Sequence, residues 1–339
     1  MPCFADHLRL ALRCAGILFA LGLAPFGQAR EIRTVPELGI ELVKLDAGKF
    51  VMGSPRSDIM RFTDEPTQVE IGLSKDFWIG KTEVTQRQWE ALMGNNPSVA
   101  RKAGPEAPVE FVSWEEATAF CAKLTARERA AGRLPEGYVY SLPTEAQWEY
   151  ACRAGTTEAH AGNLDEMAWY SRNAGIHPHP VAQKQPNAWG IYDMHGNVWE
   201  WTADWYRASV VGGRGRGPAG GGAPPAGTPA GSAPGAGGAA DDATDPAGAV
   251  EGTLRVLRGG AYNMPDAAAR SAYRLRLEPE TKLKTIGFRV ALIVPVAPKP
   301  EPAGGGRRRV GPPPVPADPN AVLEVLATPE VLVPPAQAK

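Results

Sequence analysis

Cysteine is scarce: the 339 residues hold 4, and none follows Cys152. That shortage excludes a disulfide-dense scaffold and any paired-thiolate metal centre in the C-terminal half. Surplus charge of either sign is also missing. Lys+Arg 36 against Asp+Glu 37 leave a formal net charge of -1, which argues against a general nucleic-acid binder, and the short Arg307-Arg308-Arg309 run does not alter this. Long apolar runs are wanting too. The stretch Ala15 to Leu23 falls short of the roughly 20 residues a membrane-spanning helix needs.

That stretch follows Arg9 and Arg13 and precedes Pro25 and a Gly27-Gln28-Ala29 site. The order is that of a secretory signal over 1–29, with cleavage expected after Ala29 and no stable membrane span left behind. Cys14 stands before the apolar stretch and not at its end, so no lipid anchor is expected. The expected location is periplasmic or secreted. Removal of the signal takes Cys3 and Cys14 with it; Cys121 and Cys152 remain, either paired or as two buried thiols.

Glycine and proline are plentiful, Gly 38 and Pro 33, but concentrated. Residues 210–240 are dominated by Gly, Ala and Pro and are expected to form a disordered insertion, because they cannot bury enough apolar surface to offset ordering. Strand-like patterns resume at Thr253, so one domain, 38–294, is interrupted and not divided. Residues 297–339 read as a Pro-rich disordered tail with an apolar patch at Ala321 to Leu326.

Within the domain, Ile40 to Ser54 alternates as a strand, and Gln68 to Leu73 and Phe77 to Lys81 read as short strands joined by Ser74-Lys75. Thr85 with Gln88, Ser113 with Glu116 and Thr144 with Gln147 are capping-box pairs that predict helices over 86–93, 114–130 and 145–153. Tyr138 to Leu142, Thr253 to Leu257, Arg270 to Arg276 and Gly287 to Val294 read as further strands. The densest stretch is Pro186 to Trp205, which holds four of the nine tryptophans among Gly, Asn and acidic residues. It predicts tight turns pinned into a core, with carboxylates and carbonyls available to a ligand. His177 and His179 lack a third metal ligand at a recognised spacing and are read as solvated loop residues.

Several ordered motifs point to one family. They are Phe50-Val51-Met52-Gly53-Ser54, Lys81-Thr82-Glu83-Val84-Thr85, Val112-Ser113-Trp114, Leu142-Pro143-Thr144-Glu145-Ala146-Gln147-Trp148-Glu149, Asn187-Ala188-Trp189-Gly190, Gly196-Asn197-Val198-Trp199-Glu200-Trp201, Arg258-Gly259-Gly260 and Gly287-Phe288-Arg289. Together they resemble the formylglycine-generating enzyme, or sulfatase-modifying factor, family. The resemblance implies an α+β, C-type-lectin-like fold with little regular secondary structure. It also implies a structural Ca2+ held by the Glu200 side chain, with carbonyls from the His195-Gly196 turn and Val198.

The family's oxidase binds copper through two cysteines shortly after the Arg-Gly-Gly turn. Here that region, Arg258 to Arg274, contains none, and Met264 stands near one of the two positions. One thioether does not replace a two-thiolate copper site, so copper and formylglycine generation are not expected. The matching segment offers Tyr262, Asp266, Arg270, Tyr273 and Arg274 as candidate catalytic groups. Structural ion pairs for the arginines and core packing for the tyrosines are the competing reading. The expected function is an exported binding or accessory module for a peptide, glycan or exported protein. The alternative is an oxidoreductase of altered chemistry in protein or secondary-metabolite maturation. A weaker third reading is sulfatase maturation through a metal site not visible in the sequence.

Overall fold

Three helices start where their caps dictate. In the computed structural model, which describes residues 30–62, 64–208, 243–246, 248–249 and 251–295, α1 spans Gln86–Met93, α2 Trp114–Ala130 and α3 Glu145–Arg153. Each carries a complete capping box, with the N-cap hydroxyl of Thr85, Ser113 or Thr144 accepting from the backbone N–H of Gln88, Glu116 or Gln147. Two orphan donors are thus satisfied at each helix start. A single further turn, α4, spans Leu164–Met167. The expected signal, insertion and tail lie outside the described residues.

The strands fall into three sheets. β1 (Ile32–Val35), β2 (Ile40–Leu45), β5 (Phe77–Gly80), β11 (Ala291–Ile293) and β6 (Val139–Ser141) form a five-stranded sheet in that order. β10 (Ile286–Gly287), β7 (Trp199–Trp205), β8 (Arg255–Arg258) and β9 (Leu275–Leu277) form a second sheet. β3 (Gly48–Met52) and β4 (Val69–Leu73) pair by themselves. β7 and β8 are antiparallel neighbours although the chain between them runs through the Gly/Ala/Pro segment. Short helices, small mixed sheets and long packed loops make this the α+β, C-type-lectin-like arrangement expected.

The strands on either side of Ser74-Lys75 form as expected, β4 pairing with β3 and β5 with β2 and β11. Three expectations change in detail. Ile40 to Ser54 is two strands and not one: the chain turns at Asp46-Ala47, and its halves join different sheets. Arg270 to Arg276 yields only β9, after a 3-10 turn over Asp266–Ala269, because buried ion pairs rather than ladder bonds fix Arg270 and Arg274. Gly287 to Val294 divides into β10 and β11. In addition, Trp199–Trp205, read as turns, is a strand with Trp199, Glu200, Trp201 and Thr202 all buried. A strand buried on both faces shows no polar alternation for a sequence reading to detect.

The helical stripes are core as expected. Trp89 stacks on Phe120 with ring centroids 5.5 Å apart, and Phe288 meets Phe120 edge-on at 5.4 Å. Val43, Met52, Ile71, Trp148, Ala151 and Cys152 form a second cluster beneath α3. Cys121 sits in the first cluster and Cys152 in the second, both buried and unpaired. Among the described residues no helix is long and apolar enough to cross a membrane.

Candidate functional site

The Gly196–Trp201 segment and the Arg258–Arg274 segment meet directly. Gly196 N–H donates to the Gly259 carbonyl at 2.7 Å, and Tyr262 N–H to the Asn197 carbonyl at 2.8 Å. Gly196 has φ 102, and a Cβ built on it would lie 2.1 Å from the Trp169 carbonyl oxygen, so no other residue fits. The Gly196 turn and the segment after Gly260 are therefore one structural unit.

Glu200 is wholly buried, and its two carboxylate oxygens accept from Arg289 Nη2 and Nε, each at 2.6 Å. Trp148 Nε1 donates to the same carboxylate at 2.8 Å. Val198 N–H donates to Glu83 at 3.2 Å, and Asn197 Nδ2 donates to Glu83 at 2.8 Å. His195 is buried, with Nδ1 2.7 Å from the Ala269 carbonyl oxygen and Nε2 accepting from Ala161 N–H at 3.1 Å. Burial, reinforced by His160, pushes its pKa down to about 3, so the ring is neutral.

A cation here is best judged from the charges around Arg289. Glu83, Asp193 and Glu200 are all buried beside that single guanidinium. Burial first, then repulsion from Asp193 and Glu200, holds the Glu83 carboxyl well above its usual range. Burial likewise raises Asp193 to about 6. Asp193 Oδ1 is a buried oxygen with no hydrogen-bond partner. Hard oxygens facing a shortage of positive charge suit Ca2+, and a carboxylate has lone pairs beyond those an arginine occupies. The donor chemistry fits. Among the described residues, however, no three His, Cys, Asp or Glu side chains converge as a metal cluster, so turn carbonyls would supply much of the coordination shell. Asp193 was missed as a candidate; an acidic residue three positions before Gly196, at φ 58, was its only signal.

The candidate catalytic residues are committed elsewhere. Arg270 is 3% exposed; its guanidinium binds both Glu65 carboxylate oxygens and also reaches Asp58 at 3.1 Å and the Met60 carbonyl at 2.7 Å. Arg274 forms a fork with Glu145 at 2.6 and 2.7 Å and lies over the Tyr206 ring. Tyr273 packs edge-on against Phe62 with centroids 4.9 Å apart, and burial raises its hydroxyl pKa. Tyr262 is 2% exposed, and burial raises it to about 12. Asp266 caps its own turn through Ala267 N–H at 2.8 Å and faces Arg172 at 3.6 Å. The contacts describe ion pairs for Arg270 and Arg274 and core packing for Tyr262 and Tyr273, while the Asp266 side chain stays partly exposed.

The segment in which the resemblance implies copper-binding cysteines is closed. Met264 is fully buried, and its carbonyl accepts from Ser171 N–H at 2.9 Å. Ala269 is 1% exposed beneath Gly260, where an added Cβ would fall 3.0 Å from the Ala269 Cα. His177 and His179 do not form a metal pair: His179 stacks on Trp169 with centroids 3.8 Å apart, and its Nε2 lies 2.7 Å from the Ala174 carbonyl oxygen.

The comparisons agree with this geometry. The model for the sulfatase-modifying factor enzyme 1-like domain matches residues 28–293. A chaperone protein LppX from Paenibacillus barcinonensis is 36% identical over 178 residues, 39% of this chain and 63% of that protein. A formylglycine-generating enzyme from Streptomyces coelicolor is 30% identical over 235 residues, 63% of this chain and 60% of that enzyme. The chain thus spans under two thirds of either relative. Among solved structures, Treponema denticola variable protein 1 is similar with a TM-score of 0.61 and 27% identity, covering 78% of this chain and 99% of that one.

Two outcomes follow from the buried charges. Arg270→Met leaves Glu65 buried without its partner and should cost about 3–5 kcal/mol in chemical denaturation. Adding Glu65→Gln should recover part of that loss, whereas a purely catalytic arginine would show no such coupling. Asp204, on β7, accepts from Glu145 N–H at 2.6 Å, and burial, then repulsion from Glu145, raises it from 3.8 to about 7. Between those values the folded chain keeps a proton that the unfolded chain has released. Stability should therefore fall as pH rises through that window, by at most about 1.4 kcal/mol per pH unit. Asp204→Asn should flatten the slope in denaturant titrations; an unchanged slope would mean that Asp204 is ionised throughout.

Proposed function

Because the chain belongs to the sulfatase-modifying factor enzyme 1-like family, we propose that it keeps the family's scaffold as an exported binding or accessory module and does not generate formylglycine. The observation that carries this reading is the Met264–Ala269 segment. Where the resemblance would require paired thiolates, it holds no cysteine, only the buried thioether of Met264. Thiolates suit Cu(I), and one thioether does not replace two of them. The arginines and tyrosines beside this segment are buried and held by ion pairs and packing, and Arg270 also lines a small cavity with Asp58. The similarity to a protein named as a chaperone favours a protein partner, a peptide or folding client bound without turnover. The signal-like pattern over 1–29 supports a periplasmic or secreted location.

The same reading includes Ca2+ as a structural ion at the Gly196 turn. Asp193 and Glu200 would supply side-chain oxygen, with carbonyls from the His195-Gly196 turn and Val198. The ion would contribute positive charge to a buried site that has one arginine among three carboxylates, and thus pin the turn to its neighbours.

Two experiments separate these claims from their competitors. Protein recovered from the exported fraction, with Arg30 as its first residue, should leave a peptidyl cysteine unoxidised under oxygen with added copper. Conversion to an aldehyde, or one tightly held copper per chain in elemental analysis, would overturn the binding-module reading. Calcium should raise the melting temperature of the natural chain by several degrees and that of Asp193→Asn by much less. Equal shifts in the two proteins would count against the ion at this turn.

A further inference from the structure

Helix α2 buries one apolar face and leaves most of a second open, with Trp114 of the latter packed against Trp205 and Arg255. Ala117, Phe120, Cys121 and Leu124 turn into the core. A second stripe, Trp114, Thr118, Ala122, Ala126 and Arg129, follows helical spacing along the outer side and lines a groove of about 420 Å³ against β6 and Ala203. The groove is floored by short side chains, and its lining is mostly apolar. Trp114 and Arg129 mark its two ends.

β6 is the edge of the five-stranded sheet, yet its free hydrogen-bonding positions are covered. Tyr140 N–H donates to Thr125 Oγ1 at 2.8 Å, and the same hydroxyl donates to the Tyr140 carbonyl at 3.2 Å. An added strand would find no free groups at the middle of β6. The groove therefore offers a recess for aliphatic side chains rather than a ladder.

The described chain leaves the fold beside this recess. Ile293, in β11, is the register partner of Val139, which lines the groove. Forty-four residues, 296–339, continue beyond the described part. Their first apolar cluster is Ala321-Val322-Leu323-Glu324-Val325-Leu326, with one charge, and that charge is acidic. Arg129, exposed at the groove's end, has no ion-pair partner among the described residues; its Nη2 lies 3.4 Å from the Tyr138 carbonyl oxygen. We propose that Ala321–Leu326 occupies the α2/β6 groove of its own chain, with aliphatic side chains in the recess and Glu324 facing Arg129.

Reach and tethering favour the chain's own tail. Twenty-seven residues separate Ile293 from Ala321, enough for a reach of up to roughly 80 Å. A covalent tether of this length holds the cluster at an effective concentration on the order of millimolar, so modest intrinsic affinity suffices for occupancy. A second copy or an outside protein would have to compete with that concentration.

The test uses the full chain carrying Ala126→Cys with Leu323→Cys. Mild oxidation should give a disulfide within the chain, mapped by peptide mass spectrometry. Moving the first cysteine to Ile59, which is 92% exposed and away from the groove, should abolish it. A bond that forms equally well from Ile59, or one that joins two chains, would overturn the assignment, and the latter would give the groove to a second copy. As an independent readout, the full chain with Leu323→Asp and Leu326→Asp should exchange amide hydrogens over 118–129 about tenfold faster than the natural chain. Identical exchange in the two would likewise overturn it. An unchanged circular dichroism spectrum in the two chains excludes loss of the fold as the cause of faster exchange.

Discussion

The buried contact between Glu200 and Arg289 is the one on which the rest depends. Its carboxylate belongs to β7 in the four-stranded sheet, and its guanidinium also donates to the Gly80 carbonyl of β5 at 3.0 Å and to Tyr192 at 3.0 Å. Trp148 of α3 closes the far side. One ion pair thus joins both larger sheets, a helix and a loop. Such pairs seldom add much net stability, since desolvation cancels most of the attraction. Their effect is on specificity: a buried guanidinium tolerates few neighbours, and any packing that leaves it unmatched is strongly penalised.

The same device recurs wherever regular structure is thin. Arg258 binds Glu149, Arg153 binds Glu149 and the Gly53 carbonyl, Arg270 binds Glu65, and Arg274 binds Glu145. Long loops cannot satisfy their backbone groups with ladders, so forked side chains bind carbonyls and carboxylates from distant segments instead. Two of the acids, Glu145 and Glu149, stand one turn apart on α3, and a third, Asp204, accepts from that helix's first amide. The segment that carries chemistry in relatives of the oxidase type is here part of this framework.

The sequence made some of this legible and hid the rest for definite reasons. Helix starts were plain because Thr85, Ser113 and Thr144 carry their capping partners three residues on, a purely local code. The fold class followed from ordered motifs such as Gly196 to Trp201. By contrast, β7 was hidden because both of its faces are buried. The division of Ile40 to Ser54 was hidden because alternation continues across the corner at Asp46-Ala47. At the site, Arg270 and Arg274 could be weighed but not placed. Their partners Glu65 and Glu145 lie 205 and 129 residues away, and no pattern within one segment reports such a pairing. Asp193 was overlooked for the opposite reason, since one more acid among tryptophans and glycines does not stand out until its unpartnered oxygen is seen.

The position of β11 bears on how such a chain acquires its shape. The last described strand inserts between β5 and β6 and does not sit at an edge. Until residue 291 has emerged, β2 and β5 on one side and β6 on the other have no strand to join them. β1, β2 and β5 can pair as the chain emerges, but β6 joins the five-stranded sheet only through β11, an interior strand that arrives last. Closure pairs residues far apart in sequence, which makes folding slow relative to helical proteins of this size and leaves strand edges open meanwhile. A chain that must cross a membrane before it folds would gain from that delay.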